Sequence, residues 1–285
     1  MTLHRNAGRF CATALLILAL SSEAAANSLD QKSLSEIDSE LSRTQLPIHH
    51  YSPGVRVFGE KRQDDIRTMI KDLSDRRLPE IRVRTLLGWL SVSNCRQFFE
   101  TSLIGRIEVD RGETDWYHFG SCDSDYALTI LRDPDTMTFH PNKALREVII
   151  SVPILSFGLP SRIQEFVKSY SPDATILKLW PHSDHEPEFR LESMRHADAN
   201  KVKLLYKWGW IYFSIVGFGD FNHDGIDDML IVTSVRERPR RDVVCLHDTL
   251  SRVTRLKPDG PLSVHRIAHT HNRCAGPGPH LSSPY

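Results

Sequence analysis

Apolar positions along the chain run first at helical spacing and later mostly at strand spacing. Leu29 to Leu41 carries Leu and Ile at helical intervals among Ser, Glu and Lys, which predicts an exposed amphipathic helix. Pro47 to Gly59 reads as a connector. Asp64 to Leu73 sets Ile66, Met69, Ile70 and Leu73 on one helical face, and Pro79 closes that segment. Arg84 to Ser91 is ambiguous, because Leu86, Leu87, Trp89 and Leu90 suit either a helix or a buried strand. From Ile107 onward the period shortens. Arg106–Asp110, Asp115–Phe119, Tyr126–Leu131, Glu147–Val152 and Ala174–Trp180 read as strands, interrupted by a helix that opens at Pro160 and carries Ile163, Phe166 and Val167 on one face.

The last third predicts an antiparallel meander: Val202–Trp210, Ile211–Val216, Met229–Val235, Asp242–Leu256 and Leu262–Ile267. Pro258-Asp259-Gly260 supplies one of its turns. Helices followed by antiparallel strands give an α+β class, a helical N-terminal part followed by a mainly antiparallel sheet. No Pro/Gly/Ser-rich linker divides the chain. The expected organisation is an N-terminal arm over 27–59, one domain over 60–267 and a mobile tail over 268–285.

The first 26 residues change the picture of where the protein works. His4, Arg5 and Arg9 precede an apolar run from Cys11 to Leu20, and Ala24-Ala25-Ala26 offers a cleavage site before Asn27. That is the layout of a secretory signal peptide, and the run is too short to span a bilayer. A periplasmic or secreted protein without a transmembrane anchor is expected. Four cysteines then remain, Cys95, Cys122, Cys245 and Cys274. An even number in an exported chain points to two disulfides, for which three pairings exist. Short loops close most readily, which favours Cys95–Cys122 and Cys245–Cys274. The competing four-cysteine zinc site lacks any Cys-x-x-Cys pair.

Charge excludes little but is informative. The chain has 36 basic and 36 acidic residues, and losing the leader removes two of the first and one of the second. Near-neutrality does not mark a nucleic-acid binder. Arg236, Arg238, Arg240 and Arg241 read as a solvated loop between strands. Trp208 and Trp210 fall on the same face of a strand, as core residues or as a platform for a sugar or partner.

Catalytic signatures are absent from the sequence. No Gly-x-Ser-x-Gly elbow, no phosphate-cradling glycine loop and no His-Glu-x-x-His pair occurs. His182, Asp184, His185 and Glu186 are the densest histidine–carboxylate group, but their spacing is that of a polar loop. His269 and His271 near Cys274 read as tail residues.

One stretch does carry chemistry. Gly219-Asp220-Phe221-Asn222-His223-Asp224-Gly225-Ile226-Asp227-Asp228 lies between two β-branched and aromatic runs. It places oxygen-bearing side chains at loop positions 1, 3, 5 and 9, with glycine at 6. Ca²⁺ takes about 6–8 oxygens, which alternate residues of a tight loop supply. Asp220, Asn222 and Asp224 would give side-chain oxygens, Ile226 its main-chain carbonyl, and Asp228 the closing carboxylate. Four carboxylates in nine residues repel one another unless a cation neutralises them. The loop is not an EF-hand, which requires Glu at position 12, where this chain has Ile231.

Strand, Gly-Asp-Phe-Asn-x-Asp-Gly-x-x-Asp, strand resembles the calcium loops of FG-GAP/VCBS-type repeats, as in the integrin α-subunit propeller and related exported bacterial proteins. The resemblance covers residues 211–234. It implies that Asp220, Asn222, Asp224, Ile226 through its main chain, and Asp228 bind Ca²⁺. A propeller needs several such blades, and this motif occurs once, with Asp123-Ser124-Asp125 its nearest echo. The expected function is therefore a non-enzymatic exported protein in which Ca²⁺ rigidifies a β-hairpin of a binding or structural domain. Its partner would be a protein or polysaccharide of the cell envelope. A calcium-stabilised envelope hydrolase and a periplasmic inhibitor or immunity-type protein are the alternatives.

Overall fold

The computed structural model describes residues 48–50, 52–58, 77–104, 108–109, 122–179, 189–192, 200–206, 209–240, 243–257 and 259–275, together with Ser35, Asp38 and Ser39. Alternation builds its main sheet. In β8 (Gly209–Gly219) Ile211, Phe213 and Ile215 are fully buried while Trp210, Tyr212 and Ser214 are half-exposed. In β7 (Lys201–Tyr206) Val202, Leu204 and Tyr206 turn the same way. These strands join β9 (Asp228–Arg240), β10 (Val243–Arg255) and β11 (Leu262–Ala275) in an antiparallel array.

The other edge of β8 is shared. β7 pairs with its first half and carries β6 (Phe189–Glu192), whereas β2 (Arg56–Phe58) pairs with Gly217 and Phe218 and carries β1 (Ile48–His50). The result is an eight-stranded sheet. A second sheet of three strands runs β4 (Gly88–Val92), β3 (Ile81–Thr85), β5 (Glu108–Val109), also antiparallel.

Both faces of the large sheet are packed, by different elements. On one face lie α3 (Pro141–Ser151), a 3₁₀ turn at Ile154–Phe157 and α4 (Ser161–Tyr170). Leu145, Val148, Ile149, Phe157, Ile163 and Val167 meet Phe213, Ile215, Met229, Ile231 and Val253 there. Phe157 and Phe213 touch edge to face, centroids 4.9 Å apart. On the opposite face α2 (Cys122–Thr129) lays Ala127 and Leu128, followed by Leu131, on Leu230, Leu250 and Ala268. Phe99 of α1 (Cys95–Leu103) joins that cluster. A third core of Ile81, Val83, Val92, Phe98, Cys95 and Cys122 welds the small sheet to α1 and α2, and the Cys95–Cys122 disulfide crosses it. Cys245 is also disulfide-bonded, and the β10–β11 register sets Cys274 directly opposite, which suits the expected second pairing.

Several sequence expectations are overturned here. Glu147–Val152 is the end of helix α3, not a strand. Pro141 occupies its first turn, and Ala144, Leu145, Val148 and Ile149 bury one helical stripe. Tyr126–Leu131 falls mostly in α2, whose first turn carries Asp123 and Asp125, the sign favoured by the helix dipole. Ala174–Trp180 forms a 3₁₀ turn at Leu177–Leu179. Arg84–Ser91 is a solvent-facing hairpin, neither helix nor buried strand. Arg236 to Arg240 lies within β9, not in a loop, and Trp210 belongs to β8, the β7 strand ending at Tyr206. β11 runs on to Ala275, into the expected tail. The expected connector contributes β1 and β2.

The helix opening at Pro160 and the C-terminal meander stand as read. Ser35, Asp38 and Ser39 are helical, within the helix expected over Leu29–Leu41. The leader, Asp64–Leu73, Asp115–Phe119, His182–Glu186 and Trp208 lie outside the described residues.

Candidate metal-binding loop

Asp220 organises the loop between β8 and β9. It is 4% exposed, and its carboxylate accepts three backbone amides: His223 N–H at 2.6 Å and Asp224 N–H at 3.2 Å on Oδ1, Gly225 N–H at 2.9 Å on Oδ2. The chain must curl sharply to bring those amides round. His223 takes φ 62° and Gly225 φ 85°, the left-handed region that glycine enters at little cost. Gly225 is further constrained, because a Cβ there would lie 2.8 Å from Asp135 Oδ2. Asp224 accepts Ile226 N–H at 2.9 Å and the Asn222 side-chain amide at 2.8 Å. Asp228, fully buried, accepts Phe221 N–H at 3.0 Å on Oδ2 and so closes the loop.

Residues 132–139 buttress this loop. Arg132 and Asp220 exchange a pair of backbone hydrogen bonds of 3.0 and 2.9 Å. Thr136 N–H donates to the Gly225 carbonyl at 2.9 Å and its carbonyl accepts Asp227 N–H at 3.1 Å. That bridge uses Gly225 and Asp227 and leaves the Ile226 carbonyl out of the pairing.

Asp227 and Asp228 are sequence neighbours with opposite environments. Asp227 is fully buried and amply bonded: Arg56 Nη2 at 2.7 Å, Thr138 N–H at 2.5 Å, Thr138 Oγ1 at 2.7 Å and Phe139 N–H at 3.3 Å. Its partners lie outside the loop, as the assigned register requires. No local spacing signals this role, since Arg56 and Thr138 are distant in the chain. Asp228 Oδ1 is buried and closes no hydrogen bond. Arg252 Nε stands 3.8 Å from it, and Thr254 lies near, but neither reaches it with good geometry. Burial pushes the Asp228 carboxyl above its usual range, opposed by Thr254, the Phe221 amide and Arg252 and reinforced by Asp224.

Five of the six carboxylate oxygens of Asp220, Asp224 and Asp228 therefore accept hydrogen bonds, and Asp228 Oδ1 is the exception. Asp220 Oδ1 accepts two amides, and each of the other four keeps a second acceptor site. The donor set, all hard oxygen, suits Ca²⁺. Among the described residues no three carboxylate, imidazole or thiolate groups converge as a closed ion cage. What this loop can do is clamp a turn or hold a hard cation.

A second feature combines residues that the sequence kept apart. Trp210, half-exposed on the sheet face opposite α3 and α4, lies between neighbouring strands' cations, Lys203 Nζ 5.2 Å and Arg236 Cζ 4.9 Å from its ring centroid. Tyr212 stands edge-on to it at 6.3 Å. His269 and His271 sit on the β11 backbone.

Compared with known protein families, with curated proteins and with solved structures, the chain finds no match. No helix among the described residues is long and apolar enough to cross a membrane.

Proposed function

We propose that this chain is an exported, non-enzymatic calcium-binding protein, in which Ca²⁺ at the Asp220–Asp228 loop rigidifies the β8–β9 hairpin of a binding or structural domain. The observation that carries the reading is Asp228 Oδ1, a fully buried carboxylate oxygen that closes no hydrogen bond although Arg252 Nε stands 3.8 Å away, at the closing position of an all-oxygen loop. Leaving such a group unsatisfied costs about 1–3 kcal/mol, more when it is charged. A cation would relieve that cost. Asp220, Asn222, Asp224, the Ile226 carbonyl and Asp228 would hold it. The outward commitment of Asp227 to Arg56 supports this register.

Export is supported by the leader-like N-terminus and by the Cys95–Cys122 bridge. A binding role is favoured by the Lys203–Trp210–Arg236 stack, whose partner would be a component of the cell envelope.

Equilibrium dialysis tests ion binding directly. One Ca²⁺ per chain is expected with Kd about 10⁻⁴–10⁻³ M, and Mg²⁺ should compete poorly because it demands compact octahedral geometry. Retention of no Ca²⁺ at millimolar concentration would leave the loop as an ion-free clamp and end the proposal.

A further inference from the structure

Large apolar side chains are unevenly exposed. Of the nine exposed among the described residues, four fall in a five-residue stretch: Leu86 at 76%, Leu87 at 81%, Trp89 at 50% and Leu90 at 37%. They form the tip of the β3–β4 hairpin. This is no frayed loop. Thr85 Oγ1 donates to the Gly88 carbonyl at 3.0 Å and accepts Leu87 N–H at 3.1 Å. Gly88 takes φ 117°, which a side chain would resist. The stem is paired from Thr85–Gly88 to Ile81–Val92, and the Cys95–Cys122 bridge follows three residues on. The chain thus holds two leucines rigidly in solvent.

The chemistry is graded along the hairpin axis. Leu86 and Leu87 form the apex, the Arg84–Trp89 pair comes two residues below, and the Arg82–Ser91 pair two further. Arg82 and Arg84 are exposed, and the Arg82 guanidinium lies 5.8 Å from the Trp89 centroid. Two residues of strand span about 7 Å. Apolar tip, then an indole level with Arg84, then Arg82 follows a bilayer surface from acyl chains to headgroups, where Trp prefers the boundary and Arg the phosphates. Shallow insertion of about 5–10 Å matches that spacing.

We infer that the β3–β4 hairpin is a membrane-docking tip, inserting Leu86 and Leu87 into the outer acyl region of an anionic bilayer with Arg82 and Arg84 at the headgroups. A protein partner is the weaker fit, because a stable interface covers about 800 Å² per side and a convex two-residue apex offers far less. The acidic residues nearest in sequence and register are Glu108, opposite Arg84 in the β3–β5 register, and Glu80 at the stem base. The inference does not depend on the calcium proposal.

Co-sedimentation of the full chain with vesicles, in EDTA so that no ion bridges protein and lipid, tests it. The protein should pellet with phosphatidylcholine vesicles containing phosphatidylglycerol and less with phosphatidylcholine alone. L86D/L87D should lower the partition coefficient at least about tenfold. R82E/R84E should erase the preference for the anionic lipid. L256D, which alters a leucine of equal exposure (82%) on the β10–β11 loop, should bind as wild type. The inference is overturned if the wild type stays in the supernatant, or if L256D loses as much as L86D/L87D. Loss of self-association in L86D/L87D with vesicle binding intact would equally defeat it, assigning the tip to a second copy.

Discussion

Two hairpins in this molecule reverse the usual allocation of polar and apolar residues. The β8–β9 loop is the most acidic segment of the meander, yet Asp220, Asp227 and Asp228 are buried there. The β3–β4 turn is among the most apolar segments, yet Leu86 and Leu87 stand in solvent. The difference lies in what each backbone needs. A long loop exposes many amides, and the Asp220 and Asp224 carboxylates satisfy them from inside. A two-residue turn has few amides to satisfy, and one threonine hydroxyl suffices. Burial at a turn follows hydrogen-bond demand more closely than side-chain hydropathy.

The largest expected effect tests how firmly the acidic hairpin is pinned. Asp227→Ala should destabilise the protein by about 3–5 kcal/mol in urea unfolding, because Arg56, 6% exposed, would be left as an unpaired buried charge. Calcium should not restore the loss. The loop pattern alone makes Asp227 a near-silent bystander beside Asp228; its burial makes it the more damaging site in EDTA. An Asp227→Ala protein as stable as wild type would mean that the Arg56 pair does not anchor the hairpin.

Next in size is the staple on the apolar hairpin. Replacing Cys95 and Cys122 by alanine should cost about 2–4 kcal/mol. Hydrogen exchange should quicken first in β3, β4 and α1, with β8 and β9 protected longer. Uniform acceleration would show that the two hairpins share one cooperative unit.

A smaller effect isolates Asp228. Asp228→Asn removes the buried charge, so in EDTA its stability should lie within about 1 kcal/mol of wild type or above it. The pH sign follows from the raised carboxyl. The folded state holds the proton more tightly than the unfolded state. Wild-type stability in EDTA should therefore fall as pH rises from the ordinary aspartate range through the raised one, and then level off. Asp228→Asn should lose that slope. An unchanged slope would place the titration elsewhere.

The smallest effect belongs to the exposed tip. L86D/L87D should move the unfolding free energy by less than about 0.5 kcal/mol, since neither side chain packs in the core. A larger loss would show that the tip is covered in solution.

The parts of the fold that could be read in advance were those with a repeated local signal. Ile211, Phe213 and Ile215 alternate without interruption, and a turn sequence follows, so the β8–β9 hairpin was legible. Ile163 and Val167, with Pro160 before them, marked α4. Val148-Ile149-Ile150 deceived because three β-branched residues resemble a strand, while the helical stripe begins earlier at Ala144. Tyr126–Leu131 deceived because short apolar runs carry no decisive period. Loop residues were nameable because their spacing is local. Arg56, Thr138 and Arg252 reach the site only through tertiary pairing, which spacing does not encode.

Thermal unfolding of wild type and Asp228→Asn, each in millimolar Ca²⁺ and in EDTA, bears most directly on the central claim. Wild type should gain about 1.4 kcal/mol at a calcium concentration ten times Kd, visible as a higher Tm, with Mg²⁺ giving little. Asp228→Asn should give the same Tm in both buffers. Coincident wild-type curves in Ca²⁺ and EDTA would contradict the account, and so would an equal gain in both proteins.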